Sequence, residues 1–284
     1  MALIPPSYFN CVVALGKRER YGDLEWIGTG TLIGRFYQSA SGGRSEYHVF
    51  IVTNKHVLEN QGSLVVRFNP RTSRQARDYG IPLFQRNGKP LWKGNPDPET
   101  DVAVIGIDAD FLNREEIRYD FFQSNHHTMS LAGMSDTGVA EGDFVYVLGF
   151  PLGIVAPDRL YVIARSGCIA RLRDTLEGDS KDFLIDAMIF PGNSGGPVIY
   201  KPEIISIEGT RSVSKPCVLG IVSGYLTYKE TALSQQSGQP CVVFEENSGL
   251  AVVVPMDLVM ETIDLVFASM DIKETGQAEW PGRV

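Results

Sequence analysis

The sequence predicts an all-β protein, and three observations carry that expectation. Its 284 residues include 29 glycines and 16 prolines, the residues that punctuate a chain with frequent turns. Between them lie short runs rich in β-branched and aromatic residues, as strands require. The segment Gly192-Asn193-Ser194-Gly195-Gly196-Pro197 reads as a tight glycine-flanked turn opening another strand, because Pro197 has no N–H to give a ladder.

Taken in order, strands are expected at Cys11–Leu15, Ile27–Gly34, Tyr47–Thr53, Ser63–Phe68 and Val102–Ile107 in the first half. In the second half they are expected at Phe144–Gly149, Tyr161–Ile169, Phe183–Ala187, Pro197–Ile199, Val218–Val222 and Leu250–Val254. The polar, partly helical stretch from about Asp108 to Asp136 reads as a connector. A helix should run from Pro255 to about Ala268, since proline suits a first helical turn and Met256, Val259, Met260, Ile263, Val266 and Phe267 recur at helical spacing. That stripe should face the core. The tail 269–284 is polar and expected to be loose.

Chemistry points to the glycine-flanked serine. A turn of this kind exposes a hydroxyl and leaves backbone N–H groups aimed where an oxyanion would form. A base and an orienting acid must accompany it. Of the four histidines, His56 closes the β-branched run Phe50–Val52 at a polar turn, on a rigid edge. His48 alternates within a strand, and His126-His127 lies in a polar loop, a weak metal signal without Cys or carboxylate companions. No metal or cofactor is expected. Asp101 stands at the mouth of the apolar run Val102–Ile105, where an unpaired carboxylate would be costly. Asp97 and Asp108 are its rivals, and capping of a turn is its alternative role.

Thr53-Asn54-Lys55-His56-Val57, Asp101-Val102-Ala103-Val104 and Gly192-Asn193-Ser194-Gly195-Gly196-Pro197 resemble the three catalytic blocks of trypsin-like serine peptidases, in the same order. Asp186-Ala187-Met188-Ile189, Gly28-Thr29-Gly30-Thr31-Leu32, Leu148-Gly149-Phe150-Pro151-Leu152-Gly153 and Gly220-Ile221-Val222-Ser223 are similar to the bacterial Deg/HtrA-like branch. The resemblance implies two six-stranded antiparallel β-barrels of the chymotrypsin-like fold with a cleft between them. It places an N-terminal barrel at about 8–107, a connector at 108–136, a C-terminal barrel at 137–254 and a helix at 255–268. No PDZ module is expected after the helix.

The resemblance further implies a serine endopeptidase with Ser194 as nucleophile, His56 as base and Asp101 as its orienter. The N–H groups of Gly192 and Ser194 would form the oxyanion hole, with Asn193 in the loop. Asn193 stands where digestive relatives carry an aspartate that pairs with a freed N-terminus, so zymogen cleavage is not expected. Ordering of the loop, by a homo-oligomer contact or an activating partner, would govern activity instead. Met188 would floor the primary pocket or else belong to the core, and Ser223-Gly224-Tyr225 would form the wall along which a protein or peptide substrate pairs. Lacking a carboxylate there, the pocket should prefer small or medium apolar residues. The alternative is a catalytically silent protease-fold module that only binds.

A net charge of −8 without a basic stretch argues against nucleic acid as a partner. No segment approaches membrane-spanning length, and the N-terminus lacks the positive start and apolar stretch of a secretory signal. With Cys11, Cys168, Cys217 and Cys241 widely spaced and none beside His56, a reducing cytoplasm is expected. A periplasmic home is the reading if the chain is a trimmed mature form.

Overall fold

The computed structural model describes residues 4–19, 22–39, 45–202, 213 and 215–269. After a 3-10 turn at Pro6–Cys11, the first half contains β1 (Val12–Arg18), β2 (Leu24–Ser39), β3 (Ser45–Thr53), helix α1 (Lys55–Leu58), β4 (Ser63–Pro70), β5 (Arg77–Pro82), β6 (Trp92–Gly94) and β7 (Ala103–Gly106). The connector carries α2 (Ala109–Arg114), the two-residue strands β8 (Ile117–Arg118) and β9 (Phe122–Gln123), and α3 (Leu131–Thr137). The second half runs through β10 (Phe144–Gly149), β11 (Ile163–Arg171), α4 (Arg173–Glu177), β12 (Phe183–Asp186), β13 (Pro197–Tyr200), β14 (Val218–Leu233) and β15 (Pro240–Pro255) to α5 (Met256–Ser269).

The second half closes completely: β10-β11-β12-β15-β14-β13 form a six-stranded barrel, as expected. The first half curls without closing its ladder. Its strands follow the order β5-β4-β1-β2-β3-β7-β6, with β8 on β4 and β9 parallel to β2. The gap falls between β5 and β6, where Pro82 and Pro90 have no N–H to donate. A Phe84–Pro90 bridge and the Leu91 N–H on the Leu83 carbonyl (2.9 Å) span it.

Period-two alternation explains why so many strands read as unbroken apolar runs: both faces are buried. On β1, Val13 and Leu15 fill the first half's interior with Ile51, Phe68 and Tyr79. Their neighbours Val12 and Ala14 face a second core, the seam between the halves. β3 divides its residues the same way, with Ile51 inside and Phe50 and Val52 in the seam. Val145 and Val147 of β10 fill the barrel interior while Leu148 joins the seam. Helix α5 lies on this seam through Met256, Val259 and Ile263, with Met260 and Val266 packed beside them. Phe267 turns instead to an aromatic group containing Tyr37 and His48. Residues 270–284 lie outside the described residues.

Candidate active site

β3 delivers the histidine. It ends at Thr53, and the one-turn helix α1 begins at Lys55. The turn has no side-chain cap of its own from Asn54. Asp101 supplies one from 46 residues away: its Oδ1 accepts the Lys55 N–H at 2.7 Å and the His56 N–H at 3.3 Å. A carboxylate suits a helix N-terminus, where backbone N–H groups lack partners. The other oxygen, Oδ2, lies 2.6 Å from His56 Nδ1. Asn54 Nδ2 donates to the Asp101 carbonyl at 2.6 Å, so Asp101 is gripped at both backbone and carboxylate. The imidazole remains open to solvent, 49% exposed against 29% for the aspartate.

The rival carboxylates are engaged elsewhere. Asp108 caps α2 by accepting the Phe111 N–H at 2.8 Å. Asp97 binds Lys181 Nζ at 2.7 Å, and that ammonium holds its carboxyl down at about 2. Lys181 also reaches Glu99 (2.9 Å), tying the Asp101 loop to the second barrel. Beside it, Asp182 has a buried Oδ1 with no hydrogen-bond partner among the described residues. Burial first, and then the negative charge of Asp101, push this carboxyl up to about 6.

The serine turn belongs to the second barrel but is held by the first sheet. Thr29 Oγ1 donates to the Gly192 carbonyl (2.6 Å) and accepts the Phe150 N–H (3.2 Å). Thr31 Oγ1 donates to the Gly195 carbonyl (2.7 Å), and the Thr29 N–H donates to the Ser194 carbonyl (2.9 Å). Thr53 Oγ1 then donates to the Thr29 carbonyl at 2.9 Å, three residues before the histidine. All three threonines are fully buried. The structure therefore joins His56 to Asp101 directly and links the Ser194 backbone to β3, the strand that ends before His56, through Thr29 and Thr53. Among the described residues Ser194 Oγ makes no hydrogen bond to the imidazole. In the sequence the threonines stand only within motifs, and the signal of a scaffold role is the pair of hydroxyls at Thr29 and Thr31, separated by Gly30.

Gly192 has φ +97°, and a Cβ there would stand 2.2 Å from the Phe150 carbonyl oxygen. Gly195, at φ +84°, would collide with the Thr29 carbonyl at the same distance. Both positions exclude any side chain. The Pro191 carbonyl accepts the Leu152 N–H at 2.6 Å. Since a trans peptide points its C=O and N–H in opposite directions, this bond sets where the Gly192 N–H points. Leu152 makes it from φ 57°, left-handed for a branched residue that is 61% exposed. Neither the Gly192 nor the Ser194 N–H has a protein acceptor among the described residues. Asn193 is fully buried, with Oδ1 accepting the Phe190 N–H (3.2 Å).

Met188 is 47% exposed between the buried Ala187 and Ile189, so it is no core residue. Ser223, Gly224 and Tyr225 lie half-exposed on β14 just after Val222, whose carbonyl takes the Gly195 N–H at 2.8 Å. His127 accepts the Gln123 N–H on Nδ1 and packs on Tyr8. No helix among the described residues is long and apolar enough to cross a membrane.

A family model described as the trypsin-like peptidase domain matches residues 28–202, a span containing all three site residues. A protein of Chlamydia pneumoniae named "Probable periplasmic serine endoprotease DegP-like" is 30% identical over 197 residues, 68% of this chain and 30% of that protein. A namesake from Chlamydia trachomatis serovar D is 32% identical over 152 residues, 53% of this chain and 23% of that protein. The chain thus spans less than a third of the length of these relatives. Among solved structures, the MamO protease domain from Magnetospirillum magneticum aligns over 90% of this chain and 97% of its own, with TM-score 0.47 and 11% identity.

Proposed function

The chain belongs to the trypsin-like peptidase family, and from that premise we propose that it is a serine endopeptidase using Ser194, His56 and Asp101. One observation carries the reading: the 2.6 Å bond from His56 Nδ1 to Asp101, on a strand end that Thr53 and Thr29 stitch to the serine turn. With Nδ1 committed to Asp101, the free Nε2 is the atom left to accept a proton.

Ser194 Oγ attacks the scissile carbonyl while His56 Nε2 takes the hydroxyl proton. The tetrahedral oxyanion is received by the N–H groups of Gly192 and Ser194, with Asn193 setting the loop between them. Collapse breaks the C–N bond, and His56 returns the proton to the departing amine. Water then enters by the same route in reverse, His56 deprotonating it, and hydrolyses the acyl-enzyme. Asp101 holds the ring's tautomer and orientation throughout.

The cleavage preference is for small or medium apolar residues. Met188 and Tyr225 offer apolar surface, none of Met188, Ser223, Gly224 and Tyr225 is a carboxylate that could recognise Lys or Arg, and burying an apolar side chain contributes roughly 1.5–3 kcal/mol. Activity is gated by order in the oxyanion loop, for which the Leu152 N–H on Pro191 is the holding contact. A homo-oligomer or activating partner supplies that order, so specific activity should rise with enzyme concentration. The compartment we favour is reducing, since all four cysteines are free; the relatives' names favour the periplasm, and fractionation decides.

Labelling by a fluorophosphonate probe, with hydrolysis of an unfolded protein substrate, tests the assignment. Wild type should label and cleave, and Ser194→Ala should do neither while keeping its Tm. A folded wild-type protein that resists the probe at every concentration points instead to a silent binding module. A cleavage rate left unchanged by His56→Ala would instead count against histidine as the base.

A further inference from the structure

β14 and β15 run 16 residues each, well past the barrel they help close. From Thr227↔Asn247 to Leu233↔Pro240 they pair only with each other among the described residues, as a projecting two-stranded ribbon. Such ribbons are marginal in water on their own. The register puts Tyr228 opposite Glu246, Glu230 opposite Phe244 and Ala232 opposite Val242. Directly opposed residues share a face, so Tyr228, Val242 and Phe244 lie on one face together with Ala232, Glu230 and Glu246, and the Tyr228 hydroxyl donates to Glu230 at 3.1 Å. Tyr228, Val242 and Phe244 are each roughly half exposed, at 55%, 49% and 53%. The other face carries the Lys229–Glu245 ion pair and the Thr227–Glu245 hydrogen bond.

The outer edge of β14 is the decisive feature. At Val222 that edge is occupied by the serine turn itself: Gly195 donates to the Val222 carbonyl (2.8 Å) and Val222 donates to the Gly196 carbonyl (2.9 Å). Immediately beyond, no described residue pairs with it, through Ser223–Tyr225 and on to Leu233. A strand laid against Ser223–Tyr225 with its scissile bond at Ser194 continues the ladder the serine turn begins. Its upstream residues then have the ribbon edge ahead of them, about 25 Å of unpaired backbone at ~3.3 Å per residue.

We propose that the unpaired edge of β14 from Leu226 to Leu233, with the Tyr228–Val242–Phe244 face, is an extended substrate track. It takes an extended polypeptide segment upstream of the scissile bond, with apolar side chains at alternate positions. This rests on the endopeptidase reading above. Main-chain pairing supplies affinity, and the alternate side chains that fall beside Tyr228, Val242 and Phe244 supply selectivity. A second copy pairing edge to edge would occupy the same groups, and the test separates the two.

Peptides sharing one central sequence are lengthened from about four to about twelve residues, either upstream or downstream, with apolar residues at alternate positions. Their binding to Ser194→Ala protein is read by fluorescence anisotropy, and their kcat/KM with wild type. Upstream lengthening should tighten Kd and raise kcat/KM at least tenfold, mostly through KM, and downstream lengthening should change neither by more than about twofold. Tyr228→Ser/Phe244→Ser should flatten the upstream dependence. So should a ribbon shortened by replacing 228–246 with an Asn-Gly turn between the paired Thr227 and Asn247, a change that spares the barrel if the double variant misfolds. Equal Kd for short and long peptides overturns the track, as does a dimer that the double substitution dissociates without altering length dependence. Because the anisotropy arm needs no turnover, it stands even if probe labelling were to refute the peptidase assignment.

Discussion

Thr29 shows how one side chain can matter to chemistry it never touches. Its hydroxyl serves the Gly192 carbonyl and the Phe150 N–H, both inside the protein. Thr29→Val keeps the shape and strands both partners, which costs about 1–3 kcal/mol for an unsatisfied buried group. Since the Gly192 carbonyl anchors the serine turn, on the proposed function kcat should drop at least tenfold with KM little changed, and Thr29→Ser should restore most of it. A loss confined to KM would contradict the positioning role. Asp182 gives a pH-dependent case. Its native carboxyl is raised to about 6, by burial and then by Asp101, so the folded state holds this proton more tightly than the unfolded chain does. The contribution is fully favourable below about pH 4 and is lost as pH climbs through about 6. Asp182→Asn should therefore stabilise the protein by roughly 1 kcal/mol at pH 8, after discounting for partial solvent screening, and by almost nothing at pH 4. Urea unfolding at the two pH values checks this, and an equal gain at both would be inconsistent with titration.

At the scale of elements, the strands most legible in the sequence are those buried on both faces. β10 matches its expected limits, and β3, β4, β12 and β13 lie close to theirs. The least legible pair is the ribbon: its strands run past the expected limits at Val222 and Leu250, because Thr227–Ala232 and Val242–Asn247 mix charged and apolar residues with no core to sort them. Edge strands β5 and β6 escaped notice for a related reason, since Arg77, Asp78 and Lys93 break the apolar pattern. Histidine, aspartate and serine could be found from short motifs. The threonine scaffold could not, because its bonds cross more than 160 positions of chain. Helix α5 is legible from its apolar spacing and from Pro255 at its start, and its weight in the fold is testable. Ile263 is fully buried in the seam, so Ile263→Ala should cost about 2–4 kcal/mol. A shift in Tm corresponding to less than 1 kcal/mol would show the helix to be loosely attached.

For the whole molecule, the seam is the organising feature. It gathers apolar residues from β1, β3, β7, β10, β13, β14 and α5 into one cluster, and Lys181, Thr29 and Thr31 cross it with polar bonds. The two halves should therefore melt in a single calorimetric transition whose van't Hoff and calorimetric enthalpies agree. Two resolved transitions would mean that the halves are independently stable.

The Thr29 N–H, bonded to the Ser194 carbonyl, gives this arrangement a spectroscopic use. One amide proton on β2 reports whether the turn that carries Ser194 is settled. Its deuterium uptake, followed in intact protein without any reactive probe, should slow when an activator orders the turn and quicken when the turn comes loose.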